Sequence, residues 1–296
     1  MTHYKTKALF TCSVLACSLS LFAQNPKSNT VKSAVKEKVV FFDDFSGATL
    51  DRTKWNVIVT GFHVNNEQQA YVDSAATVSI SKKPTETAGA KNGVLVLQPQ
   101  FSPGFVTKDG KKFDFLSGRI DTRKKVDFTY GTASARMKLP AGAGFWPAFW
   151  AMGDGKWPDN GEIDIMENVG EPDWTGIALH GPGYSGETPL VNKGFLKPGT
   201  DITQWHVYSV DWTPDSLVFK VDDAVIYRAT RPMVEHYGKW TFDNPKYLIV
   251  NLALGGAYPY KTNGVKTLYN GIPEATVQKI KNGQGKVLVD WVKITK

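Results

Sequence analysis

The segment Gly161-Glu162-Ile163-Asp164-Ile165-Met166-Glu167-Asn168 places three carboxylates within six residues of an otherwise apolar stretch. Alternation of acids with apolar residues is typical of a β-strand with one polar face and one buried face. Strict alternation would turn Glu167 into the core, where an ionised carboxylate without a partner is costly. A one-residue β-bulge near Ile165-Met166 would reset the alternation. We therefore expect Glu162, Asp164 and Glu167 to share one strand face.

A row of carboxylates on one strand face suits glycoside hydrolysis, which needs one carboxyl group protonated and another ionised. Each charge in the row would raise the proton affinity of its neighbours. The competing interpretation is a solvated strand face, but such faces usually mix Lys and Thr with acids. The spacing by itself does not indicate which Glu donates the proton and which attacks the sugar.

The acidic segment resembles the E-x-D-x-x-E signature of glycoside hydrolase family sixteen, in the bulged form of its laminarinase-like (endo-β-1,3-glucanase) branch. Three flanking stretches resemble the same branch, namely GFWPAFW at 144–150, Trp157-Pro158, and HGPGYSG at 180–186. The likeness extends from about Val39 to the C-terminus. It implies an all-β fold, the two-sheet β-sandwich jelly roll (concanavalin A-like) with a substrate cleft on its concave face. Many short apolar runs, with a single helix expected over 273–280, also predict a β-sandwich.

The resemblance further implies an enzyme, a retaining glycoside hydrolase, and a role for each acid. Glu162 would be the nucleophile and Glu167 the acid/base, while Asp164 would hydrogen-bond to the nucleophile. The expected activity is that of a secreted endo-β-glucanase, which hydrolyses internal β-1,3 linkages of laminarin-like or mixed β-1,3/1,4 glucans by double displacement. Two alternatives stay open: an agarase- or carrageenase-type hydrolase of marine galactans, and a non-catalytic glycan-binding module. Modules of that kind typically lose the carboxylates, which this chain retains.

Tryptophans close to the acids predict a sugar-binding surface, because flat rings pack against the apolar C–H faces of sugars. Trp146 and Trp150 precede the acids in GFWPAFW, and Trp157 lies just ahead of them along the chain. Packing in the core is the alternative for any single Trp. The family likeness favours Trp146 and Trp157 for the cleft and assigns Trp150 to the core.

Three polar residues are implied as substrate contacts by the same likeness. Asn66 lies in a segment that resembles the family's N-x-E-x-Q-x-Y element, whose Asn faces the sugar on the glycone side; Asn65 is the alternative, since the register is open. Arg119, in an S-x-R-I stretch, would contact the same side, unless it forms a surface salt bridge. His180 would contact the sugar near the acid/base, or else serve a structural role.

The resemblance implies no cofactor for catalysis, although many family members hold a structural Ca²⁺ on the convex side. Asp44 and Asp290 fall where the ligands of that ion usually lie. Asp44 stands where the family often has Glu, which reaches further. Two surface acids without a metal are therefore the alternative.

The N-terminal segment, residues 1–23, reads as a secretory signal peptide. Lys5 and Lys7 precede an apolar run that ends at Ala23, with cleavage expected before Gln24. The protein is then expected to be secreted or periplasmic. The alternative is a lipoprotein anchored through Cys17, which follows a poor match to a lipobox.

The remainder divides into a flexible, polar lead-in at 24–38 and one catalytic domain at 39–296. Without residues 1–23, the chain has 33 Lys and Arg against 28 acids, a net charge of +5. These basic residues are scattered, so we expect no nucleic-acid partner, while the family resemblance implies a polysaccharide substrate. We also expect a monomer without a stable membrane span.

Overall fold

Short β-strands dominate the computed structural model, which describes residues 37–60 and 64–296. The strands are β1 Val39–Asp43, β2 Asn56–Val57, β3 Gln69–Tyr71, β4 Val78–Ser81, β5 Val94–Leu97, β6 Gln100–Val106, β7 Lys112–Ser117, β8 Arg119–Asp121, β9 Gly131–Lys138, β10 Phe145–Gly153, β11 Glu162–Glu167, β12 Trp174–His180, β13 Leu190–Phe195, β14 His206–Trp212, β15 Ser216–Val221, β16 Ala224–Thr230, β17 Lys246–Leu254 and β18 Val287–Thr295. The helices are α1 Pro84–Thr87, α2 Arg231–Glu235, α3 Ala257–Asn263 and α4 Glu274–Lys281. The helix predicted over 273–280 is confirmed as α4, whereas α1, α2 and α3 were not predicted. The predicted signal peptide and nearly all of the predicted lead-in lie outside the described residues.

Two large sheets form the predicted β-sandwich, which is therefore confirmed. The acid-bearing sheet has seven strands in the order β13-β12-β11-β10-β17-β8-β2. The second sheet has eight, in the order β16-β15-β14-β9-β18-β5-β4 with β1 also paired to β18. A third, three-stranded sheet has the order β3-β7-β6. The first and last strands, β1 and β18, pair antiparallel and so bring the two ends of the domain together.

The hydrophobic core takes alternate residues from the strands of both large sheets. Phe149 and Ile163 enter it from the acid-bearing sheet, and Met137 and Val289 from the second sheet. Full burial of a side chain of this size stabilises the fold by about 1.5–3 kcal/mol. Because Ile163 faces the core, its neighbour Glu162 faces the opposite side, which we call the outer face of the acid-bearing sheet.

The β-bulge predicted in the acidic segment is confirmed. Against β10, Met166 pairs with Phe149 and Asp164 pairs with Trp150, so Ile165 is left as the extra residue. The register against β12 shifts at the same point. Ile165 and Met166 are both buried in the core. The extra residue thus returns Glu167 to the outer face without exposing any apolar side chain of the strand.

The third sheet packs its strand β3 close to one end of β17. The backbone N–H of Leu254 donates to the side-chain Oε1 of Gln69 at 2.7 Å, and the backbone N–H of Gln68 donates to the Leu254 carbonyl at 2.8 Å. These bonds hold the segment that carries Asn66 beside the acid-bearing sheet. Among the residues described, no helix has the length and apolar character needed to cross a bilayer.

Candidate active site

The three acids of β11 lie side by side on the outer face, and an indole holds each of the two glutamates. Trp157 Nε1 donates to Glu162 Oε2 at 2.8 Å, and Trp146 Nε1 donates to Glu167 Oε1 at 2.8 Å. Asp164 lies between them and is buried, with its Oδ2 lacking a hydrogen-bond partner among the described residues. Each glutamate therefore has one fixed orientation, which a reacting carboxylate requires.

Burial dominates the electrostatics of this row. It raises the pKa of Glu162 to about 7, and the negative charge of Asp164 adds to the rise. It also raises the pKa of Glu167 to about 7, although the Trp146 hydrogen bond opposes the change. The pKa of Asp164 is raised well above its usual range, first by burial and then by the charge of Glu167. The sequence predicted such shifts from neighbouring charges, whereas removal from water is the larger cause.

His180 completes the acidic row from the neighbouring strand, where its backbone pairs with that of Glu162. Its Nε2 lies 3.3 Å from Asp164 Oδ2 and 3.8 Å from Glu162 Oε1. Its Nδ1 accepts the backbone N–H of Gly186 at 3.3 Å, so Nε2 carries the proton and faces the carboxylates. Ligand atoms of the three side chains lie within 4.8 Å of one another, close enough for a metal ion. A protonated Nε2 pointing at Asp164 does not suit a cation.

Trp150 lies on the outer face, and its predicted place in the core is wrong. It pairs with Asp164, and Trp146 precedes it by an even number of residues, so alternation puts both indoles on one face. Trp150 Nε1 donates to Asn251 Oδ1 at 2.7 Å. The Arg119 guanidinium lies 4.9 Å from the centre of the Trp150 ring, an arrangement that favours cation–π attraction. Arg119 is therefore half-buried against an indole rather than paired in a surface salt bridge.

A buried polar network continues from Asn251 away from the acids. Asn251 Nδ2 donates to the Tyr71 hydroxyl at 3.1 Å, and that hydroxyl donates to Glu67 Oε2 at 3.2 Å. Gln69 Nε2 donates to the same carboxylate oxygen at 2.6 Å. Burial raises the pKa of Glu67 against these bonds and the charge of Arg119. The N-x-E-x-Q-x-Y pattern was the sequence signal for this network, but only its Asn was assigned a role.

Asn66 is exposed in the turn that precedes this network. Asn65 and Asn66 both adopt left-handed backbone conformations, with φ of 54° and 56°. Asn tolerates this region better than most residues. The backbone carbonyl of Asn65 accepts the N–H of Ala257 at 2.7 Å, which fixes the turn beside the end of β17. Contact of Asn66 with a sugar stays a prediction.

The two predicted calcium ligands already have partners within the chain. Asp290 is buried, and it accepts Arg136 Nη1 at 2.5 Å as well as the backbone N–H of Lys91 at 3.3 Å. Asp44 accepts Asn92 Nδ2 at 2.7 Å. Two residues along the chain from Asp44, the backbone carbonyl of Ser46 accepts the Lys82 ammonium at 2.7 Å. With an ammonium and a guanidinium in place, these residues do not fit a divalent cation well, and calcium binding stays a prediction.

A β-sandwich with buried, paired carboxylates on one sheet face defines a class, the β-sandwich glycoside hydrolases. A model described as glycosyl hydrolases family 16 matches residues 51–293, and the chain belongs to this family. The chain is thus a glycoside hydrolase. It is 35% identical to a beta-glucanase of Rhodothermus marinus over 234 residues, which cover 75% of this chain and 77% of that protein.

Two further comparisons concern fold and coverage. An endo-beta-1,3-glucanase structure from Pyrococcus furiosus superposes with a TM-score of 0.75 at 30% identity, covering 88% of this chain and 94% of that one. A keratan-sulfate endo-1,4-beta-galactosidase of Sphingobacterium multivorum is 27% identical over 285 residues, which cover 86% of this chain and 63% of that protein. The second relative shows that the likeness extends to an enzyme whose name specifies a different substrate.

Proposed function

We propose that this protein is a retaining endo-β-1,3-glucanase that cleaves internal linkages of laminarin-like glucans. The observation that carries the proposal is the row of Glu162, Asp164 and Glu167 on one bulged strand, with an indole N–H on each glutamate. The glucanases among the relatives support the choice of substrate.

The proposed reaction proceeds in two displacements. Glu162 attacks the anomeric carbon while Glu167 transfers its proton to the leaving oxygen, so the C–O bond breaks and a glycosyl ester forms. Esterification removes the charge of Glu162, which lowers the proton affinity of Glu167. Glu167 then takes a proton from water as that water attacks the anomeric carbon. Release of the sugar regenerates the ionised Glu162 and the protonated Glu167.

The stereochemistry of the first-formed product tests this mechanism. Retaining enzymes place their carboxyl groups about 5–5.5 Å apart, whereas inverting enzymes need about 6.5–9.5 Å to admit a water. Two glutamates on one strand favour the shorter separation. Proton NMR during early hydrolysis should show β-anomeric reducing ends before mutarotation. Initial α-anomers would contradict the proposal.

A second candidate is hydrolysis of a galactan, because the keratan-sulfate endo-β-galactosidase aligns with 86% of this chain. Product profiles on laminarin, lichenan, agarose, carrageenan and keratan sulfate distinguish the candidates. We expect oligosaccharides from laminarin, with lichenan as a slower substrate. Exclusive turnover of a galactan would replace the glucanase assignment, and turnover of none of them would favour a glycan-binding module.

We further propose that the protein is exported as a monomer after loss of residues 1–23. Lys5 and Lys7, followed by the apolar run, support export. The intact mass of exported protein should correspond to a chain that begins at Gln24. A lipid-modified Cys17 would instead place the enzyme on a membrane surface.

A further inference from the structure

The edge strand of the acid-bearing sheet, β13, presents an unusual set of side chains on the same face as the acids. Across β12, Gly176 pairs with Glu167 on one side and with Lys193 on the other. Residues directly opposite each other in antiparallel strands point to the same face. Lys193 therefore lies on the outer face, together with Val191 and Phe195, which alternate with it along β13.

Two of these side chains are apolar and open to solvent. Phe195 is 70% exposed and Val191 is 64% exposed. The opposite face of the strand is packed, since Gly194 lies against the side chain of Ile226 so closely that an added Cβ would come within 2.7 Å of it. One face of β13 is therefore packed against the protein. Only the other face, which carries Phe195, is open to solvent.

The position of β13 relates it to one end of the substrate. Arg119, expected on the glycone side, lies on β8, three strands from β11 in the sheet order β11-β10-β17-β8. The strands β12 and β13 lie on the other side of β11. A chain that crosses the acids from the glycone side therefore continues over β12 and then β13. Neighbouring strands are about 4.8 Å apart, so β13 is reached soon after the cleaved bond.

The sheet surface between the acids and β13 is built from small residues. The outer face of β12 carries Gly176 and Ala178 next to the acids. A Cβ added at Gly176 would meet only ordinary contacts, with the Trp174 ring and the Tyr258 hydroxyl at 3.4 Å. The Trp174 ring and the Tyr258 hydroxyl therefore border this part of the path to β13.

The positive charge of Lys193 on this face gives no reason to expect an anionic sugar. The Lys193 ammonium lies over the Trp174 ring, 3.8 Å from its centre, and 4.0 Å from Glu171 Oε2. Its charge therefore already has an aromatic and an acidic partner. What remains free on β13 is apolar surface, which matches the C–H face of a neutral sugar.

We propose that Phe195, assisted by Val191, is the stacking platform for the second sugar on the aglycone side of the cleaved bond, in a neutral β-glucan. This inference rests on the proposed function, since it takes the direction of the substrate from Arg119, which that function places on the glycone side. It assigns substrate binding to an edge strand that none of the motif residues occupies.

The test compares substrates that do and do not reach β13. Phe195→Ala should lower kcat/KM about tenfold for laminari-oligosaccharides long enough to cover β13, mainly through KM. It should leave unchanged the hydrolysis of a p-nitrophenyl laminarioligoside, whose leaving group fills only the first aglycone position. Phe195→Trp should keep the activity on both substrates. Phe42→Ala is the matched control, because Phe42 is a 46% exposed Phe on β1 of the second sheet.

Each other outcome has a definite meaning. Equal effects of Phe195→Ala and Phe42→Ala, or an equal loss on both substrates, would overturn the platform. If Phe195→Ala converts a wild-type dimer to a monomer in analytical ultracentrifugation without changing the substrate ratio, the face joins two copies instead. If the wild-type protein hydrolyses no β-glucan, the proposed function fails, which is a different result from an unchanged substrate ratio.

Discussion

Trp157 donates its indole N–H to Glu162 Oε2 at 2.8 Å, which ties the orientation of this carboxylate to a residue on a separate loop. The bond favours the ionised form of Glu162 and so opposes the rise in pKa that burial causes. Trp157 was predicted to stack on a sugar. With 42% of its surface exposed, the ring can still do so while its N–H is engaged with the acid.

Trp157→Phe should shift the acid limb of the pH profile of kcat/KM to higher pH. The substitution keeps an aromatic ring but removes the donor, so the pKa of Glu162 rises and the nucleophile stays protonated up to a higher pH. A hydrogen bond to a charged group contributes about 1.5–3 kcal/mol. Because the Trp157 ring is partly exposed, we expect the acid limb to move by about one pH unit. Trp205→Phe, which removes an indole bond to the Ala88 carbonyl, is the control. An unmoved acid limb would contradict this role.

Trp146→Phe should shift the alkaline limb instead. Trp146 donates to Glu167, and this bond lowers the pKa of that group. Without it, Glu167 holds its proton to higher pH, and the acid needed for the first step remains available. The two tryptophan variants thus report on the two glutamates separately. If Trp146→Phe moved the acid limb and Trp157→Phe the alkaline limb, the assigned roles would be exchanged.

Replacement of the glutamates should separate the two chemical steps. Glu162→Gln should abolish turnover of every substrate, because no nucleophile remains. Glu167→Gln should still form the glycosyl ester from substrates with good leaving groups, and azide, which needs no general base, should release it as a β-glycosyl azide. Mass spectrometry and NMR identify the azide. Glu274→Gln, on the exposed side of α4, is the control. Rescue of Glu162→Gln as a β-azide would reverse the assignment.

Thermal stability should not depend on calcium. Asp290 is paired with Arg136, and the Lys82 ammonium donates to the Ser46 carbonyl two residues along the chain from Asp44, so a positive charge is already held near each predicted ligand. We expect the same Tm with EDTA and with millimolar Ca²⁺ in a thermal unfolding measurement. A rise in Tm with Ca²⁺ that is lost in Asp290→Asn would restore the calcium site that the family likeness implies.

Sequence reasoning reached the fold and the acid row because both follow from alternation. The cost of burying Glu167 was enough to predict the bulge at Ile165. The same alternation would have placed Trp150 on the outer face together with Trp146. The prediction that Trp150 lies in the core came from the family likeness. Burial of the acids, by contrast, depends on indoles that arrive from β10 and from the loop after it. No local pattern shows how those elements close over the row.

The burial of Lys246 could not be predicted from the sequence either. It precedes the apolar run of β17 and looks like an ordinary charged flank, yet it is fully buried. Its ammonium donates to the carbonyl of Asn160 at 2.9 Å, to that of Thr241 at 3.2 Å and to Asn244 Oδ1 at 2.7 Å. These acceptors come from two separate loops, one of which carries Trp157. Lys246 therefore fastens the loop that places an indole on Glu162.

The buried ammonium predicts a pH dependence of stability with a definite sign. Burial lowers the pKa of Lys246 to about 7 from its ordinary value of 10.5. Below pH 7 the lysine is charged in the folded and the unfolded chain, and the full cost of burying the charge is present. Between these two pKa values the unfolded chain binds the proton that the folded chain has lost, so this contribution to stability rises with pH.

The Tm of the wild-type protein minus that of Lys246→Met should therefore increase between pH 7 and pH 10. Methionine keeps the volume but does not titrate, so other groups contribute equally to both proteins and cancel in the difference. Lys239→Met replaces an exposed lysine in the neighbouring segment and should give a flat difference. Differential scanning fluorimetry across the pH range measures all three proteins. A difference that stays flat for Lys246→Met as well would mean that the three carbonyl groups hold the lysine charged throughout this range.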